Sequence, residues 1–346
     1  WVSANDLRTE GPFGDHLGYY SLAHEFPVLR VENVWHRFGA IWPFTTVGRP
    51  PQEDSVIGSF IHDLVSPLVP SVFPGLHQLH AVDQAGVHPL LLAVGSERYV
   101  PFAQDRMPQE LLTNAHALLG NTQTALSKYI FIAAREDDSQ LNAHNIPEFF
   151  HHLLSRVDWT RDLHFITRTT MDTLDYSGIS LNQGSKAILA AAGSPKRQLA
   201  AEIPDIALPQ GFSSPALLAP GIMALQGPPH SMPRDSHDPK LQALAAALTG
   251  QKNLEGFPLL VVVDDSQMTT ASWDNFLWVV FTRSDPATDT YGTGAFIRCK
   301  HWGCTTSLII DARLKTYHAP PLDPDPEVEK KVDALGAPGR PLHGII

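Results

Sequence analysis

Two carboxylates, Glu10 and Asp15, lie on either side of a Gly-Pro-Phe-Gly insert near the start of the chain. Gly11 and Gly14 can adopt positive φ without a Cβ penalty, and Pro12 fixes φ near about −65°, so the insert predicts a tight reversal. A reversal can bring the two side chains close enough to act as one unit, and paired carboxylates in a shielded site raise the proton affinity of one of them. Such a carboxyl group is a good general acid or base. The same spacing is also typical of an acidic hairpin exposed to water.

The elements that must position this loop are short β-prone runs separated by turn signals. Val28–Val34 has the period-2 alternation of a half-buried strand, and Ile41–Val47 is a second candidate. A few strands alone leave unpaired edges. The segment around the carboxylates is therefore expected to need partners.

Composition narrows the class of protein. The chain has 346 residues, 43% hydrophobic and 18% charged, which predicts two or three globular domains. A formal charge of −11 argues against nucleic-acid binding. No apolar run approaches the about 20 residues of a membrane helix, and Pro89–Val94 and Pro258–Val263 have the length of strands, so no integral membrane segment is expected. Two cysteines, Cys299 and Cys304, cannot form a disulfide framework, which favours a reducing cytoplasm.

The order of residues around the carboxylates resembles the active-site signature of UbiD-type decarboxylases, which use prenylated FMN. The resemblance covers roughly residues 1–193, and its segments are Glu10–Tyr20, Arg37–Pro43, Gly48–Asp54, Leu126–Ile130 and Ser155–Asp158. It implies an α/β (α+β) protein in which the last strands of a split, flavin-reductase-like β-barrel precede a C-terminal α/β domain. It also implies reversible, non-oxidative loss of CO2 from an aromatic or α,β-unsaturated acid.

The resemblance assigns roles to both carboxylates. Asp15 would deliver the proton that replaces CO2, and Glu10 would hold an arginine of the flavin-binding region and tune Asp15. Many family members carry Glu at the position of Asp15, whereas Asp occurs in polyprenyl-hydroxybenzoate decarboxylases. This difference favours a hydroxylated aromatic acid, as in ubiquinone or menaquinone biosynthesis.

Further site residues follow from the resemblance. Arg49, Glu53 and Lys128 are expected to bind the cofactor, and the substrate pocket is expected to contain Asp54, Met171 and Leu174. Simpler interpretations stay open: a surface ion pair for Arg49, a solvent-exposed strand end for Lys128, and the N-cap of a helix over Val56–Val65 for Asp54.

The middle of the chain has an α/β pattern. His77 and His80 fall in a predicted strand, where residues three apart face opposite sides, so they are not expected to share a metal. Arg156 and Asp158 are expected to form a structural ion pair. The predicted strands are Leu76–Val82, Pro89–Val94 and Lys128–Ala134, and the predicted helices are Pro108–Leu119 and Ile146–Leu154.

The second half of the chain repeats the first. Asp137-Asp138-Ser139-Gln140 recurs as Asp264-Asp265-Ser266-Gln267, and the same offset relates Arg156 to Arg283 and Asp158 to Asp285. Residues 254–346 therefore predict a second, degenerate α/β repeat and a tail. Dense prolines in residues 197–253 predict an ordered strap over the surface, with one helix at Leu241–Leu248, rather than a domain. The predicted domains are thus 1–55, 56–196, 197–253 and 254–346.

Cys299, His301 and Cys304 are candidate zinc ligands, but a structural zinc site needs four ligands, and His318 would have to fold back to complete it. A β-hairpin with half-buried cysteines is the preferred interpretation, and no metal site is predicted in this chain.

The chain opens at Trp1 in what reads as mid-domain sequence. In the family an N-terminal region binds the flavin and a divalent metal, with or without K+. We therefore expect a missing N-terminal half or a partner chain that carries it, a small aromatic acid as substrate, a homo-oligomer, and no activity of this chain alone. The alternative is a non-catalytic oligomerisation module derived from such an enzyme.

Overall fold

The computed structural model describes residues 2–42, 47–122, 124–322 and 325–345. The chain divides into two compact units, one formed by residues 1–49 and 319–346 and the other by residues 50–318. The helices are α1 (Glu53–Val65), α2 (Val69–Val72), α3 (Glu110–Leu119), α4 (Ile146–Arg156), α5 (Pro239–Leu248), α6 (Ser266–Thr270), α7 (Trp273–Arg283) and α8 (Pro326–Gly336). The strands are β1 (Val2–Glu10), β2 (His24–Leu29), β3 (Leu76–Ala81), β4 (Leu90–Gly95), β5 (Tyr129–Ala134), β6 (Leu163–Thr170), β7 (Gln183–Ala191), β8 (Ser213–Ala219), β9 (Ile222–Gln226), β10 (Leu259–Val263), β11 (Thr290–Gly292), β12 (Phe296–Arg298), β13 (His301–Gly303) and β14 (Leu308–Asp311).

The first unit contains one antiparallel pair, β1 with β2. The predicted strand Val28–Val34 is wrong beyond Leu29, because residues 30–39 are not in a strand and no neighbouring strand among the described residues pairs with them. For the second candidate, residues 43–46 lie outside the described residues, while Ile41, Trp42 and Val47 are not in strands. Two described strands do not make a barrel, so the split-barrel description is not confirmed.

The second unit begins with a five-stranded sheet in the order β3-β4-β5-β7-β6. Strands β4, β5 and β7 are parallel, and the two edge strands are antiparallel to them. The predicted strands and helices of this region are confirmed. The apolar face of α3 covers one side of the sheet, where Leu111 and Leu118 pack with Ile130 and Ile132 in a fully buried cluster.

A second sheet has the same connectivity, in the order β8-β9-β10-β14-β11. Its three central strands are parallel and its two edge strands antiparallel, strand for strand as in the first sheet. This correspondence shows a second α/β repeat, but the repeat begins at β8, before the predicted boundary at residue 254. The same hydrogen bond also occurs in both repeats. Asp158 N donates to Asp162 Oδ2 at 2.8 Å, and Asp285 N donates to Asp289 Oδ2 at 2.7 Å.

The two repeats contact each other through hydrogen bonds that involve the loop after α4 and the loop after α7. Ser185 N and Oγ donate to the carboxylate of Asp285 at 2.8 and 2.7 Å. On the other side Cys304 N donates to the Trp159 carbonyl at 3.2 Å. The repeats therefore form one continuous unit.

The interpretation of residues 197–253 as a strap is wrong, because this segment supplies β8, β9 and α5 to the second repeat. The prolines lie at positions in or between these elements that tolerate proline. Pro215 lies in β8, an edge strand that tolerates a missing N–H, and Pro220 lies in the turn before β9. Pro239 occupies the first turn of α5, which contains the predicted helix Leu241–Leu248.

One further sequence prediction, the ion pair of Arg156 with Asp158, is wrong. Arg156 does not pair with Asp158; its guanidinium donates to the carbonyls of His152 and Gly193, at the C-terminal end of α4. In addition, the helical stretch Glu53–Val72 is long and apolar enough, by length and composition only, to pass as a membrane span. Glu53, Asp54 and Asp63 interrupt the apolar residues, so a count of unbroken apolar runs does not reveal this stretch.

Candidate active site

The loop that carries Asp15 is a compact reversal in the first unit. Asp15 N donates to the Tyr19 carbonyl at 3.1 Å, and Gly18 N donates back to the Asp15 carbonyl at 3.0 Å. Ser21 closes the base of the loop, because Ser21 N donates to the Phe13 carbonyl at 2.8 Å and Phe13 N donates to Ser21 Oγ at 3.0 Å. The predicted reversal within Gly11–Gly14 is therefore wrong in position: Gly14 pairs with Tyr20 on one arm of the loop, and the chain reverses between Asp15 and Tyr19.

Both glycines of the insert are required by close packing. Gly11 has φ of +99°, and a Cβ there would lie 2.9 Å from the Leu22 carbonyl oxygen. A Cβ at Gly14 would lie 3.0 Å from the Val47 carbonyl oxygen. The backbone that leads to Arg49 therefore packs directly against the loop that carries Asp15.

Asp15 is buried, with a relative exposure of 2%. Its Oδ1 accepts a hydrogen bond from Leu17 N at 3.1 Å and lies 3.0 Å from His16 Nδ1. Its Oδ2 is also buried, and among the described residues it has no hydrogen-bond partner. Since an unpartnered buried carboxylate oxygen is costly, this oxygen is available for a group from outside the described chain.

Glu10 differs from Asp15 in its environment. It is the last residue of β1, paired with His24 of β2, and its side chain is exposed. In the described part of the chain no hydrogen bond or ion pair connects the two carboxylates, so the predicted paired unit is not formed within this unit. The alternative interpretation was an acidic hairpin exposed to water. Glu10 is exposed as that interpretation requires, whereas Asp15 is buried, so the interpretation is wrong for Asp15.

The predicted cofactor residues lie at the start of α1 and at the end of the first unit. Arg49 is half-buried. Glu53 and Asp54 lie in the first turn of α1, and the N-cap is Gln52, which forms a capping box with Ser55. The prediction of Asp54 as N-cap is therefore wrong by two positions, although an acidic first turn still favours the helix.

Lys128 is buried at the start of β5. Its ammonium donates to Asp175 Oδ2 at 2.6 Å and to Ser177 Oγ at 2.9 Å. The alternative of a solvent-exposed strand end is wrong. Its predicted cofactor contact stays a prediction, and the observed ion pair fixes the loop that follows Leu174.

Two of the predicted substrate-pocket residues, Met171 and Leu174, lie close in sequence to Asp175 of this ion pair, whereas Asp54 lies in α1. Met171 is buried, and its sulfur fills the space beside Gly178 and Gly184, where an added Cβ would lie within 2.3 Å of it. Leu174 is half-buried, and its backbone N donates to Asp172 Oδ1 at 2.8 Å. The structure therefore brings Lys128, Met171 and Leu174 into one region of the second unit, and their contact with a substrate stays a prediction.

The next feature is the set of histidine, cysteine and acidic residues that were considered as metal ligands. Within the described ranges no group of three or more His, Cys, Asp or Glu could hold a metal ion. β12 and β13 form the predicted hairpin, in which Cys299 is exposed and Cys304 is buried. Burial raises the pKa of the Cys304 thiol to about 12, which makes it a poor metal ligand.

Sequence analysis missed a network of buried charges in the second repeat. The guanidinium of Arg313 donates to Asp311 at 2.7 and 2.8 Å and to Asp238 at 2.7 Å. Lys315 Nζ lies 3.1 Å from Asp289 Oδ2. Burial opposes ionisation of Asp311, but Lys315 and Arg313 lower its pKa below the usual range. The cluster of charged residues at 311–315 is the sequence feature that indicates this network. Asp238 is not indicated, because it is distant in the sequence.

His152, which is buried, and His80, which is half-buried, make stability depend on pH. Burial lowers the pKa of His80 to about 4, opposed by its hydrogen bond to Ala143, and burial with Arg156 lowers that of His152 to about 4. Between pH 6.5 and 4 the unfolded chain then binds more protons, so the free energy of unfolding should fall as the pH falls. Replacing His152 with Leu should weaken the dependence of the free energy of unfolding on pH. The number of protons taken up on unfolding should fall by up to about one, as measured by urea unfolding between pH 7 and pH 4. The neighbouring, exposed His151→Leu is the control, and an equal change in both variants would contradict this account.

Comparison with known proteins places these observations in a family. Residues 1–50 match the Rift-related domain of 3-octaprenyl-4-hydroxybenzoate carboxy-lyase, and residues 55–191 match its C-terminal domain. An uncharacterized protein of Chlamydia trachomatis is 34% identical over 332 residues, which is 96% of this chain and 53% of that protein. A Chlamydia pneumoniae protein named as one of the subunits of 4-hydroxybenzoate decarboxylase is 33% identical over 337 residues, 95% of this chain and 52% of that protein. The chain thus corresponds to only about half of each of these relatives.

A solved structure gives a partial match. Vanillic acid decarboxylase of Sedimentibacter hydroxybenzoicus, in its closed form, is 18% identical, with a TM-score of 0.46 over 61% of this chain and 42% of that one. A match at this level transfers no residue role to this chain.

Proposed function

Because this chain belongs to the UbiD family of carboxy-lyases, we propose that it is part of a prenylated-FMN-dependent decarboxylase. The reaction is reversible, non-oxidative loss of CO2 from an aromatic or α,β-unsaturated carboxylic acid. A hydroxybenzoate-type acid of quinone biosynthesis is the favoured substrate, which agrees with the name of the Chlamydia pneumoniae relative. We also propose a homo-oligomer in a reducing cytoplasm.

The observation that carries this proposal is the environment of Asp15. A carboxylate that is 2% exposed and has an oxygen without a partner among the described residues is poised for a group supplied from elsewhere. The loop geometry holds Oδ1 through Leu17 N and leaves Oδ2 free to carry a proton. This arrangement suits a general acid better than a structural residue, whose two oxygens would both be bonded.

In the proposed reaction each residue of this chain has one task. Asp15 Oδ2 holds a proton and delivers it to the carbon atom that loses CO2, so that a C–H bond replaces the C–C bond. Glu10, exposed at the end of β1, accepts hydrogen bonds from an arginine of the flavin-binding polypeptide. Arg49 and Glu53 contact the cofactor, and Asp54, Met171 and Leu174 contact the substrate. When bound, prenylated FMN supplies the electron sink for the departing carboxylate.

The flavin-binding polypeptide must accompany this chain, since the chain corresponds to only 53% of a relative such as the Chlamydia trachomatis protein. We expect that the purified chain alone neither retains prenylated FMN nor releases CO2. Flavin absorbance of the purified chain, and CO2 release from a panel of hydroxylated aromatic acids, measure the two properties. The same panel with the chain and a flavin-binding polypeptide together should show CO2 release. Flavin that copurifies with this chain alone would contradict the proposal that another polypeptide binds the cofactor.

A further inference from the structure

The helical stretch Glu53–Val72, made of α1, a 3-10 turn (Ser66–Leu68) and α2, turns an apolar face to solvent. α1 has no buried residue. Eight apolar side chains of the stretch are 39–74% exposed, and together we call them the α1 face: Val56, Ile57, Phe60, Ile61, Leu64, Val65, Leu68 and Val72. They recur every four residues in two adjacent rows, so they form one continuous stripe along the helix. A contiguous apolar stripe of this length marks an interaction surface.

α1 contacts its own unit through its polar side instead, whereas Val69 of α2 packs in the core. Ser55 Oγ donates to Asp83, and His62 Nε2 accepts a hydrogen bond from Ala81 N at 3.3 Å. A surface helix normally places its apolar stripe on the core and its polar side in water. Here the orientation is reversed. Burial of large apolar side chains stabilises a folded protein, so leaving the whole stripe in water forgoes a large stabilisation.

Charge identifies what covers this face. Its edge carries the carboxylates of Glu53, Asp54 and Asp63, and no Lys or Arg occurs between Arg49 and Arg98. A second copy of this chain, with a net charge of −11, would bring the same acidic edge. A membrane-surface helix carries Lys and Arg on its polar side and is attracted by anionic lipid, which these residues would repel. The edge instead complements a protein surface with a basic rim.

The relatives extend well beyond the part that this chain matches. The 332 matched residues make up 53% of the Chlamydia trachomatis protein, so nearly half of that polypeptide lies outside the match. We propose that the α1 face is the docking surface for this remaining part, an apolar protein surface with a basic rim. The identity of the partner rests on the proposed function, whereas the existence of the interface rests on the exposure of the helix.

Copurification tests the proposal without any turnover. The probe is the part of the Chlamydia pneumoniae relative that lies outside its 337 matched residues, co-expressed with this chain carrying an affinity tag. The double variant Phe60→Gln, Leu64→Gln removes the centre of the α1 face and keeps residues that favour a helix. It should lower the yield of the complex at least about tenfold, the loss expected when about 1.4 kcal/mol of binding energy is removed. Phe102→Gln, at an 85% exposed apolar side chain elsewhere in the unit, is the matched control and should leave the yield unchanged.

Hydrogen exchange gives the second readout, with residues 53–72 more protected in the complex than in the chain alone. No complex, a complex that the double variant leaves intact, or an equal loss in the control would overturn the proposal. A dimer of the chain alone that the double variant dissociates would assign the face to a second copy, and binding to vesicles of neutral or anionic lipid would assign it to a membrane. Either result would also overturn it. A complex that forms through the α1 face but releases no CO2 would leave the interface established and refute the proposed function alone.

Discussion

Asp15→Asn should abolish decarboxylation by the assembled enzyme while prenylated FMN stays bound. The substitution keeps Oδ1, which accepts from Leu17 N at 3.1 Å, and changes only Oδ2, which has no partner among the described residues. The loop should therefore keep its conformation. Because an amide cannot deliver the proton, we expect the turnover number to fall by about 10³-fold, the range of a lost general acid. The measurement is CO2 release under substrate saturation, together with the flavin spectrum.

Asp6→Asn is the matched control for this prediction. Asp6 lies on β1, and it pairs with Arg30 at 2.5 Å in a partly exposed ion pair that should matter little. We expect near-normal turnover from this variant. Normal turnover by Asp15→Asn, or a similar loss in both variants, would remove Asp15 from the catalytic role.

Arg313→Met should be the most destabilising of the substitutions considered. Arg313 is completely buried, and its guanidinium neutralises both Asp311 and Asp238. Asp238 is also the N-cap of α5, since it accepts from Lys240 N at 2.8 Å, so the arginine connects the end of β14 to the start of α5. Methionine leaves two buried carboxylates without their cation, which costs about 3–5 kcal/mol. Urea unfolding measures the change.

Arg168→Met is the comparison for a surface pair in the same unit. Arg168 donates to Asp235 at 2.8 Å, but their side chains are 70% and 49% exposed. Because water and salt screen such a pair, its loss should cost less than about 1 kcal/mol. Equal effects of the two arginine variants would show that the buried network contributes no more than a surface contact.

Local patterns explain why some of the fold could be predicted from the sequence. β4 and β5 are short apolar runs bounded by turns, and α3 ends at the expected Gly120. The repeat was visible because residues that cap its helices and turns, such as Asp158 and Asp285, recur at one spacing. Each of these features is set by residues that are close together in the chain.

The remaining features depend on contacts between distant residues. Nothing in the local sequence shows that Lys128 meets Asp175 or that Arg313 meets Asp238. The same limit explains β8, whose prolines suggested a strap until its pairing with β9 was known. For the candidate site, the sequence predicted a reversal at Gly11–Gly14, whereas the chain reverses just after it, between Asp15 and Tyr19. The difference in burial between Glu10 and Asp15 emerged only from the folded chain.

Proton transfer by Asp15 is tested most directly by isotope exchange. The assembled enzyme is incubated in D2O with the decarboxylated product of the aromatic acid that the substrate panel identifies, and deuterium at the carbon atom that bore the carboxylate is followed by NMR. We predict exchange with the wild-type protein and none above background with flavin-loaded Asp15→Asn. Exchange at the wild-type rate in the variant would mean that another group moves the proton, and the role proposed for Asp15 would be wrong.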